Sequence, residues 1–336
     1  MRAAGMQIVL GIDNDEDAKR TFECNFPESS FMMRDIRYVG SEDLENYLPA
    51  DPTQPLLFLG CAPCQPFTKQ NTNRKLGEEL RLLLREFGRF VEHFEPTFIF
   101  VENVPGIQDT NDETAPFHAF VRLLTKIGYH IAFDTILCQD YGVPQRRKRL
   151  VLIASVLGEL NFPSATHGPG TEHLEYATVR SAIGDLPPLE AGQSDETVLN
   201  HRAAGLAPVN LRRIMATPEG GGRLDWPPEL VLNCHNGDYT GHTDVYGRLV
   251  WDQPASGLTT RCISLSNGRF GHPVQHRAMS VREAGCLQTF PRNFEFKGSL
   301  AAMARQIGNA VPVRVAEVFG NLFVTQWQDY QNEELA

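Results

Sequence analysis

Cys64 has the sequence surroundings most suggestive of reactive chemistry. It stands between Pro63 and Gln65, shortly after the apolar segment Pro55–Gly60. A cysteine at a strand end and near a helix N-terminus has its thiolate favoured by the backbone dipoles, and the thiolate is the nucleophilic form. The usual alternative is a buried, inert cysteine. Cys61 and Cys64 also form a Cys-x-x-Cys pair, which leaves a redox pair or half of a zinc site open; because no second such pair exists, we predict no metal.

Three further motifs carry polar side chains suited to catalysis or binding. Glu102–Val104 (Glu-Asn-Val) ends an apolar segment, and a desolvated carboxyl group there would act as a proton donor, with a salt bridge or helix cap as the alternative. Gln145–Arg149 (QRRKR) is a basic cluster, although such a run by itself usually forms a solvated face. Gly308–Pro312 (GNAVP) places Gly-Asn and a proline where the last helix begins, which simple helix initiation would also explain.

The elements that must position these residues alternate along the first half of the chain. Apolar segments predict strands at Gln7–Ile12, Pro55–Gly60, Thr97–Val101, Ile131–Leu137 and Leu150–Ala154. Apolar residues at helical spacing predict helices at Glu16–Cys24, Gly77–Phe94 and Phe117–Ile127. This alternation is typical of an α/β fold with a parallel sheet, in which ligands bind beyond the C-terminal ends of the strands. Asp13, Cys64 and Glu102 all fall at such ends.

The pattern changes after about residue 160, where Pro, Gly and Asn become frequent. Short segments at Glu229–Asn233 and Leu258–Arg261 predict isolated strands, and helical spacing returns at Val281–Gln288 and Leu300–Gln326. We therefore predict two domains. The first is formed by residues 1–164 and 291–328 together, and the second, smaller and rich in loops, by residues 165–290.

Charge and composition bound the function classes. The 336 residues carry 31 Lys+Arg and 41 Asp+Glu, a net charge of −10, which argues against a nucleic-acid partner. The charge is uneven, however: residues 1–60 carry 5 basic and 11 acidic side chains (−6), whereas residues 201–300 carry 11 basic and 8 acidic ones (+3). Seven cysteines, an odd number, indicate a reducing cytoplasm, and no apolar segment is long enough to span a membrane.

The order of the motifs is more specific than any one of them. Along the chain they read Pro-Cys-Gln (63–65), Glu-Asn-Val (102–104), Gln-Arg-Arg-x-Arg (145–149), Arg-Glu-Ala with Gln-Thr-Phe-Pro (282–291), and Gly-Asn-Ala-Val-Pro (308–312). This order and spacing closely resemble the bacterial DNA (cytosine-5) methyltransferases, from about residue 4 to residue 324. The resemblance implies a Rossmann-like class I methyltransferase sheet. It also implies a target-recognition segment within residues 165–290.

The resemblance assigns four catalytic residues. Cys64 matches the nucleophile that adds to C6 of cytosine, so that C5 can attack the methyl group of S-adenosylmethionine. Glu102 matches the acid that protonates N3, and Arg149 the residue that holds the cytosine carbonyl. Arg147 matches the arginine that buttresses the site. The family flips the target cytosine out of double-stranded DNA, the expected partner.

The resemblance also assigns the cofactor contacts. Asp13 matches the acid that binds the ribose hydroxyls, a role known from dinucleotide sites. The other expected contacts to S-adenosylmethionine are Asn14, which stands where the family often has a larger side chain, Asp35, Ile36, Leu83, Asn309 and Val311.

One family motif has no match in this sequence. The Phe-x-Gly-x-Gly loop that holds the methionine end of the cofactor would lie before Met1, because Arg2–Gly5 resemble the end of the helix that follows it. A sheet that lacks the strand before this loop leaves backbone groups unpaired on both neighbours. A truncated or mis-started reading, a separate polypeptide that supplies the piece, and a degenerate copy are the three explanations. On each of them we expect weak or no cofactor binding.

Several alternatives stay open at this point. One is an RNA cytosine methyltransferase, although its Cys-Phe-Thr tail motif is absent, and another is a DNA-binding protein or subunit without activity of its own. An NAD-dependent oxidoreductase would need a Gly-x-Gly-x-x-Gly loop after a strand, which this sequence lacks. Under the leading hypothesis we expect a monomer on DNA and a possible cognate restriction endonuclease. The candidate DNA contacts are Arg212, Arg213, Arg223, Arg248, Arg261 and Arg269.

Overall fold

The fold was analysed in a computed structural model of the 336-residue chain. The structure describes residues 1–49, 51, 53–61, 83–108, 115–233 and 243–335. The predicted nucleophile, Cys64, lies outside the described residues.

Eight strands form three sheets in the described part of the chain. They are β1 (Leu10–Asp13), β2 (Ser30–Met33), β3 (Leu57–Gly60), β4 (Phe98–Asn103), β5 (His130–Leu137), β6 (Gln145–Arg146), β7 (Lys148–Ser155) and β8 (Ala255–Ser256). The main sheet has the order β3-β4-β7-β5, while β1 pairs with β2 and β6 with β8. The five strands predicted from apolar segments are confirmed, with ends shifted by a few residues.

The described helices cover the sheets and connect them. They are α1 (Glu16–Asn25), α2 (Glu42–Glu45), α3 (Leu83–Phe94), α4 (Pro116–Lys126), α5 (Val179–Ile183), α6 (Pro208–Met215), α7 (Val281–Leu287), α8 (Leu300–Asn309) and α9 (Val313–Glu334). The segment Leu300–Gln326, predicted from helical spacing, is divided between two helices in the structure. Pro312 cannot continue α8 and instead precedes α9. None of the described helices is both long and apolar enough to cross a membrane.

The prediction of a wholly parallel sheet is wrong. The β3–β4 pair is parallel, but β7 runs antiparallel to both β4 and β5. Between β5 and β7 lie only a short 3-10 turn, Cys138–Tyr141, and β6. A parallel connection needs a crossover of about a dozen residues or more, usually a helix, whereas a short connection returns the chain in the opposite direction.

The first two strands stand apart from the main sheet. Within the described residues, β1 is hydrogen-bonded to β2 and β3 to β4, and no ladder joins β1 to β3. The edges of β1 and β3 instead line one cavity of about 530 Å³. The β1–β2 unit is tied to the C-terminal part through α1, where Asn25 exchanges two hydrogen bonds with the backbone of Glu295, at 2.8 and 2.9 Å.

Strand β4 is the centre of the core because both of its faces are covered. All six of its residues are buried. One face, with Ile99 and Val101, packs against residues of α3 and α4. The other face presents Phe98 and Phe100 to α9, whose Phe319 is fully buried. This packing fixes the end of β4, where Glu102 lies.

We expect Phe319→Ala to destabilise the fold strongly. The Phe319 ring lies 5.6 Å from the ring of Phe100, 6.1 Å from that of Tyr141 and 5.4 Å from that of Phe162, between centroids. Truncation of a buried phenylalanine costs about 3–5 kcal/mol of the free energy of unfolding. Guanidinium denaturation would measure it as a lower midpoint at an unchanged slope. The control is Tyr38→Ala, an aromatic residue that is 76% exposed; equal losses in both variants would contradict the prediction.

The region from about residue 165 to residue 290 is rich in loops, but two of its predicted strands are wrong. Residues Pro228–Leu230 form a 3-10 helix, and Leu258 lies outside any strand. The backbone groups of Leu258 are bonded by side chains instead: its N–H donates to Oε1 of Gln145 at 2.9 Å, and its carbonyl accepts from Nη1 of Arg147 at 2.7 Å. The helix predicted at Val281–Gln288 is confirmed as α7. The domain boundaries themselves stay a prediction.

Candidate active site and cofactor cavity

Glu102 and Arg149 form a largely buried ion pair at the end of the main sheet. Glu102 is the second-to-last residue of β4 and is 4% exposed, and Arg149 is the second residue of the neighbouring strand β7. Nε of Arg149 lies 2.7 Å from Oε1 of Glu102. These two predicted site residues are far apart in sequence but in contact in the structure. The reason is that β4 and β7 are adjacent and antiparallel, so the end of β4 lies beside the start of β7.

Opposing influences act on the proton affinity of Glu102. Burial raises its pKa above the usual range, and the positive charges of Arg149 and Arg147 act in the opposite direction. Nε of Arg149 lies close to Oε1, and no other described residue donates a hydrogen bond to this oxygen. A buried carboxyl group with a raised pKa is suited to donate a proton to a bound base.

Arg147 holds together three segments around this pair. It is 2% exposed, and its guanidinium donates to the carbonyls of Leu258 at 2.7 Å, Gly308 at 2.9 Å and Ala310 at 3.4 Å. The first carbonyl lies in the loop-rich region and the other two at the end of α8. Arg147 therefore occupies a position from which it can support the site without reaching a ligand directly.

The turn after α8 carries Asn309, which is exposed, and Val311, which is half-buried. Gly308 precedes them where the backbone of Thr259 passes very close: a Cβ on Gly308 would lie 2.3 Å from the Thr259 carbonyl oxygen. Any side chain at this position would push the two segments apart. The Gly-Asn pair is thus explained by close packing as well as by the end of a helix.

The cavity between β1 and β3 collects five of the residues predicted to bind the cofactor. Asp13, Asn14, Asp35, Ile36 and Leu83 all line it, together with Cys61 and apolar residues of β1, β3 and α3. Asp13 is the last residue of β1, as expected for a ligand site at a C-terminal strand end. Burial raises the pKa of its carboxyl group, and hydrogen bonds from the backbone of Asp15 and Asn14 act against this.

Asp35 is already engaged by a neighbour in this structure. Its carboxylate accepts from Nε of Arg37 at 3.0 Å and from Nη2 at 2.6 Å, and these side-chain bonds lower its pKa. Arg37 also lines the cavity. A ligand that bonds to Asp35 would therefore share it with Arg37.

The two remaining predicted contacts, Asn309 and Val311, are not among the residues that line this cavity. Their helix is nevertheless anchored beside it, since Nη2 of Arg305 in α8 lies 2.6 Å from Oδ2 of Asp15. Asp15 caps α1, directly after β1. The structure thus groups the predicted residues into a cavity set and a turn set. The predicted nucleophile, Cys64, follows the cavity residue Cys61 by three positions and is outside the described residues.

Most of the arginines predicted to contact DNA have structural partners. Arg213, Arg223 and Arg248 are buried, at 7%, 7% and 2% exposure. Arg248 donates to four backbone carbonyls, among them those of Thr217 and Ile214. Arg269 is half-buried and bonds to the carbonyls of Gly220 and Gly221 as well as to Asp244, whereas Arg212 and Arg261 are exposed. A surface role is therefore wrong for the three buried arginines. Arg213 and Arg248 instead donate to backbone carbonyls and so help to hold the loop-rich region together beside its apolar core.

The comparisons with known proteins agree with these motifs. The model of the C-5 cytosine-specific DNA methylase family matches residues 1–323. The Type II methylase M.HgiDII of Herpetosiphon aurantiacus is 40% identical over 94% of this chain and 88% of its own, and M1.HphI of Haemophilus parahaemolyticus is 29% identical over 94% and 80%.

Solved structures show the same fold. A prophage-encoded E. coli protein described as a DNA modification methyltransferase superposes with a TM-score of 0.73 at 21% identity, covering 97% of this chain and 94% of that one. The Dnmt2 methyltransferase of S. pombe gives a TM-score of 0.62 at 16% identity, over 97% and 94%. The fold is thus that of class I methyltransferases, and the chain belongs to the C-5 cytosine-specific DNA methylase family.

Proposed function

We propose that this DNA cytosine-5 methyltransferase acts through Cys64, Glu102, Arg147 and Arg149 on a cytosine flipped out of a specific duplex sequence. The observation that carries the proposal is the buried Glu102–Arg149 pair, with its 2.7 Å contact and the raised pKa of the carboxyl group. Family membership supports the reaction type and does not favour an RNA substrate or an inactive DNA-binding subunit.

Each residue has a distinct role in the proposed reaction. The Cys64 thiolate adds to C6 of the cytosine, while Glu102 donates its proton to N3 and so neutralises the negative charge that addition would leave on the ring. Arg149 holds the cytosine carbonyl oxygen, and Arg147 keeps the strand that carries Arg149 in place. After methylation a base acting through water takes the C5 proton, and the electrons of the C6–S bond return to sulfur. N3 then gives its proton back to the Glu102 carboxylate, which restores the aromatic ring, the free thiolate and the protonated acid.

The family and the fold imply S-adenosylmethionine as the methyl donor, and the cavity between β1 and β3 suits it. When bound, it supplies an electrophilic methyl group on a sulfonium centre. The cavity volume of about 530 Å³ falls within the range of small-molecule sites. Ile36 and Leu83 offer apolar walls for the adenine, and Asp13 at the strand end offers a carboxylate for the ribose hydroxyls. Asn14, Asp35, Asn309 and Val311 complete the proposed contacts.

Duplex DNA is the macromolecular substrate. The names of the relatives, Type II methylases and methyltransferases, support a place in a restriction-modification system with a cognate endonuclease. Because one target strand needs one active site, we propose that the enzyme acts as a monomer on DNA. A cytoplasmic location stays a prediction.

Mapping of methylated cytosines tests the proposed function. Plasmid DNA incubated with the purified chain and S-adenosylmethionine should, after bisulfite conversion and sequencing, retain cytosine at one short recurrent sequence. The same DNA incubated without S-adenosylmethionine is the control and should be fully converted. Retention scattered over unrelated sequences would contradict a sequence-specific enzyme, and complete conversion in both samples would contradict methyl transfer by this chain.

A further inference from the structure

We propose that Gln288 and Thr289, here named the Gln288–Thr289 corner, are positioning residues for the turn that carries Asn309 and Val311. The corner follows α7 directly and faces the start of α9. The inference rests on the proposed cofactor role of that turn. It adds a role for two residues that lie in the Gln-Thr-Phe-Pro motif but contact neither the Glu102–Arg149 pair nor the cavity.

Gln288 connects α7 to the turn through buried hydrogen bonds. It is 0% exposed, and its Nε2 donates to the carbonyl of Ala310 at 2.5 Å. Its own backbone carbonyl accepts from the N–H of Val313 at 3.2 Å. The side chain and the backbone of one residue thus hold the turn at both ends, between α8 and α9.

Gln145 fixes the side chain of Gln288. It is also 0% exposed, and its Nε2 donates to Oε1 of Gln288 and, at 3.0 Å, to the carbonyl of Leu287. Its Oε1 accepts from the N–H of Leu258 at 2.9 Å. Both N–H groups of the Gln145 amide therefore have partners, the Gln288 amide both donates and accepts, and in a buried network each bond orients the next.

Arg147 also donates hydrogen bonds to this turn. The Ala310 carbonyl accepts from Arg147 as well as from Gln288, and the Gly308 carbonyl accepts from Arg147 at 2.9 Å. Arg147 is two residues from Arg149, which pairs with Glu102. The network therefore joins the proposed cofactor turn to the proposed base-binding pair, and it determines how far apart they lie.

Thr289 adopts a backbone conformation that its residue type disfavours. Its φ angle is 62°, in the left-handed region that β-branched residues rarely adopt. Such strain persists only where surrounding contacts impose it, and it is concentrated at functional sites. Here Oγ1 of Thr289 accepts from the N–H of Arg314 at 2.9 Å, so the strained conformation supplies a cap for the first turn of α9.

Gln288→Met is the principal test, because methionine has a similar length but makes neither hydrogen bond. We expect the KM for S-adenosylmethionine, and its dissociation constant by calorimetry, to rise about tenfold, which is within the range expected for the loss of these two hydrogen bonds. The KM for DNA should not change. Thr289→Val, which keeps the shape and loses the cap, should raise the same KM about threefold. It carries the test if Gln288→Met does not fold.

Gln326→Met is the matched control. Gln326 is a half-buried glutamine in the middle of α9, and its Nε2 bonds to the carbonyls of Gly158 and Glu159 rather than to the turn. The Gln326→Met variant should have a lower Tm but an unchanged KM for S-adenosylmethionine and for DNA. Unchanged cofactor affinity in folded Gln288→Met and Thr289→Val, or an equal rise in both KM values, would overturn the inference alone. A wild-type chain that binds no S-adenosylmethionine would overturn the proposed cofactor site together with it.

Discussion

The Glu102→Gln variant is expected to lose about 10²- to 10⁴-fold in kcat, the contribution of a positioned general acid. Glutamine keeps the size of the side chain and a hydrogen bond to N3 of cytosine, but it has no proton to give. The fold should tolerate the change, because the carbonyl oxygen of the glutamine can still accept from Nε of Arg149. Methyl transfer from radiolabelled S-adenosylmethionine to DNA would measure the loss, with DNA affinity recorded alongside.

The pH profile gives this prediction a second readout. Since burial raises the pKa of Glu102, the protonated form persists to higher pH than for an exposed glutamate. Activity that needs this proton is full below the raised pKa and falls as the pH rises through it. The variant should lack that limb. Glu92→Gln, the same substitution at an exposed position of α3, is the control and should keep it. A Glu102→Gln enzyme with wild-type turnover and the same limb would remove Glu102 as the acid.

Cys64→Ser is expected to abolish both methyl transfer and the covalent complex with DNA that contains 5-fluorocytosine. Fluorine at C5 cannot leave as a proton does, so an enzyme that adds a thiolate to C6 remains attached after methylation. Serine is a far weaker nucleophile, because its hydroxyl group is not ionised near neutral pH. Denaturing gel electrophoresis of the protein with labelled DNA would detect the complex as a band of lower mobility.

Cys61→Ser is the matched control for this experiment. Cys61 precedes Cys64 by three residues, lines the cavity and is exposed, so it is the described thiol that could substitute for Cys64. The Cys61→Ser variant should form the complex at the wild-type rate. Trapping that survives in Cys64→Ser and disappears in Cys61→Ser would transfer the nucleophilic role to Cys61.

The sequence predicts the elements of this fold better than their directions. Apolar segments are sufficient to locate β1, β3, β4, β5 and β7. Burial on both faces explains the continuous apolar run for β4 and β7, whereas the other three strands are only partly buried. The antiparallel direction of β7 was also readable in principle, since no helical spacing separates Leu137 from Leu150. The alternation of strands and helices elsewhere led to the wrong generalisation.

The sequence motifs made it possible to predict some of the site residues. The contacts between residues far apart in sequence could not be predicted. The order of the motifs indicated Glu102 and Arg149, and the structure brings them into contact. Nothing in the sequence showed that Arg248 is buried and bonded to backbone carbonyls, because the sequence does not distinguish an arginine that binds DNA from one that ties loops together. The links of Gln145 to Gln288 and to Leu258 span more than a hundred residues and leave no local pattern. Their signal was the presence of glutamine in two of the quoted motifs.

Because β1–β2 is separate from the main sheet, we expect these two parts of the molecule to differ in the free energy of local unfolding. β4 is bonded on both sides and should open only with the whole fold. Within the described residues β1 is hydrogen-bonded to β2 alone, and it is otherwise held through α1 and through the packing of Leu10 and Ile12 against Phe90 of α3. The cavity lies between the units, with Asp13 and Ile36 on one wall and Leu83 on the other. A ligand that fills it therefore contacts both and adds its binding free energy to the work of separating them. A ligand bound in the cavity would thus raise the free energy of local unfolding of the first forty residues.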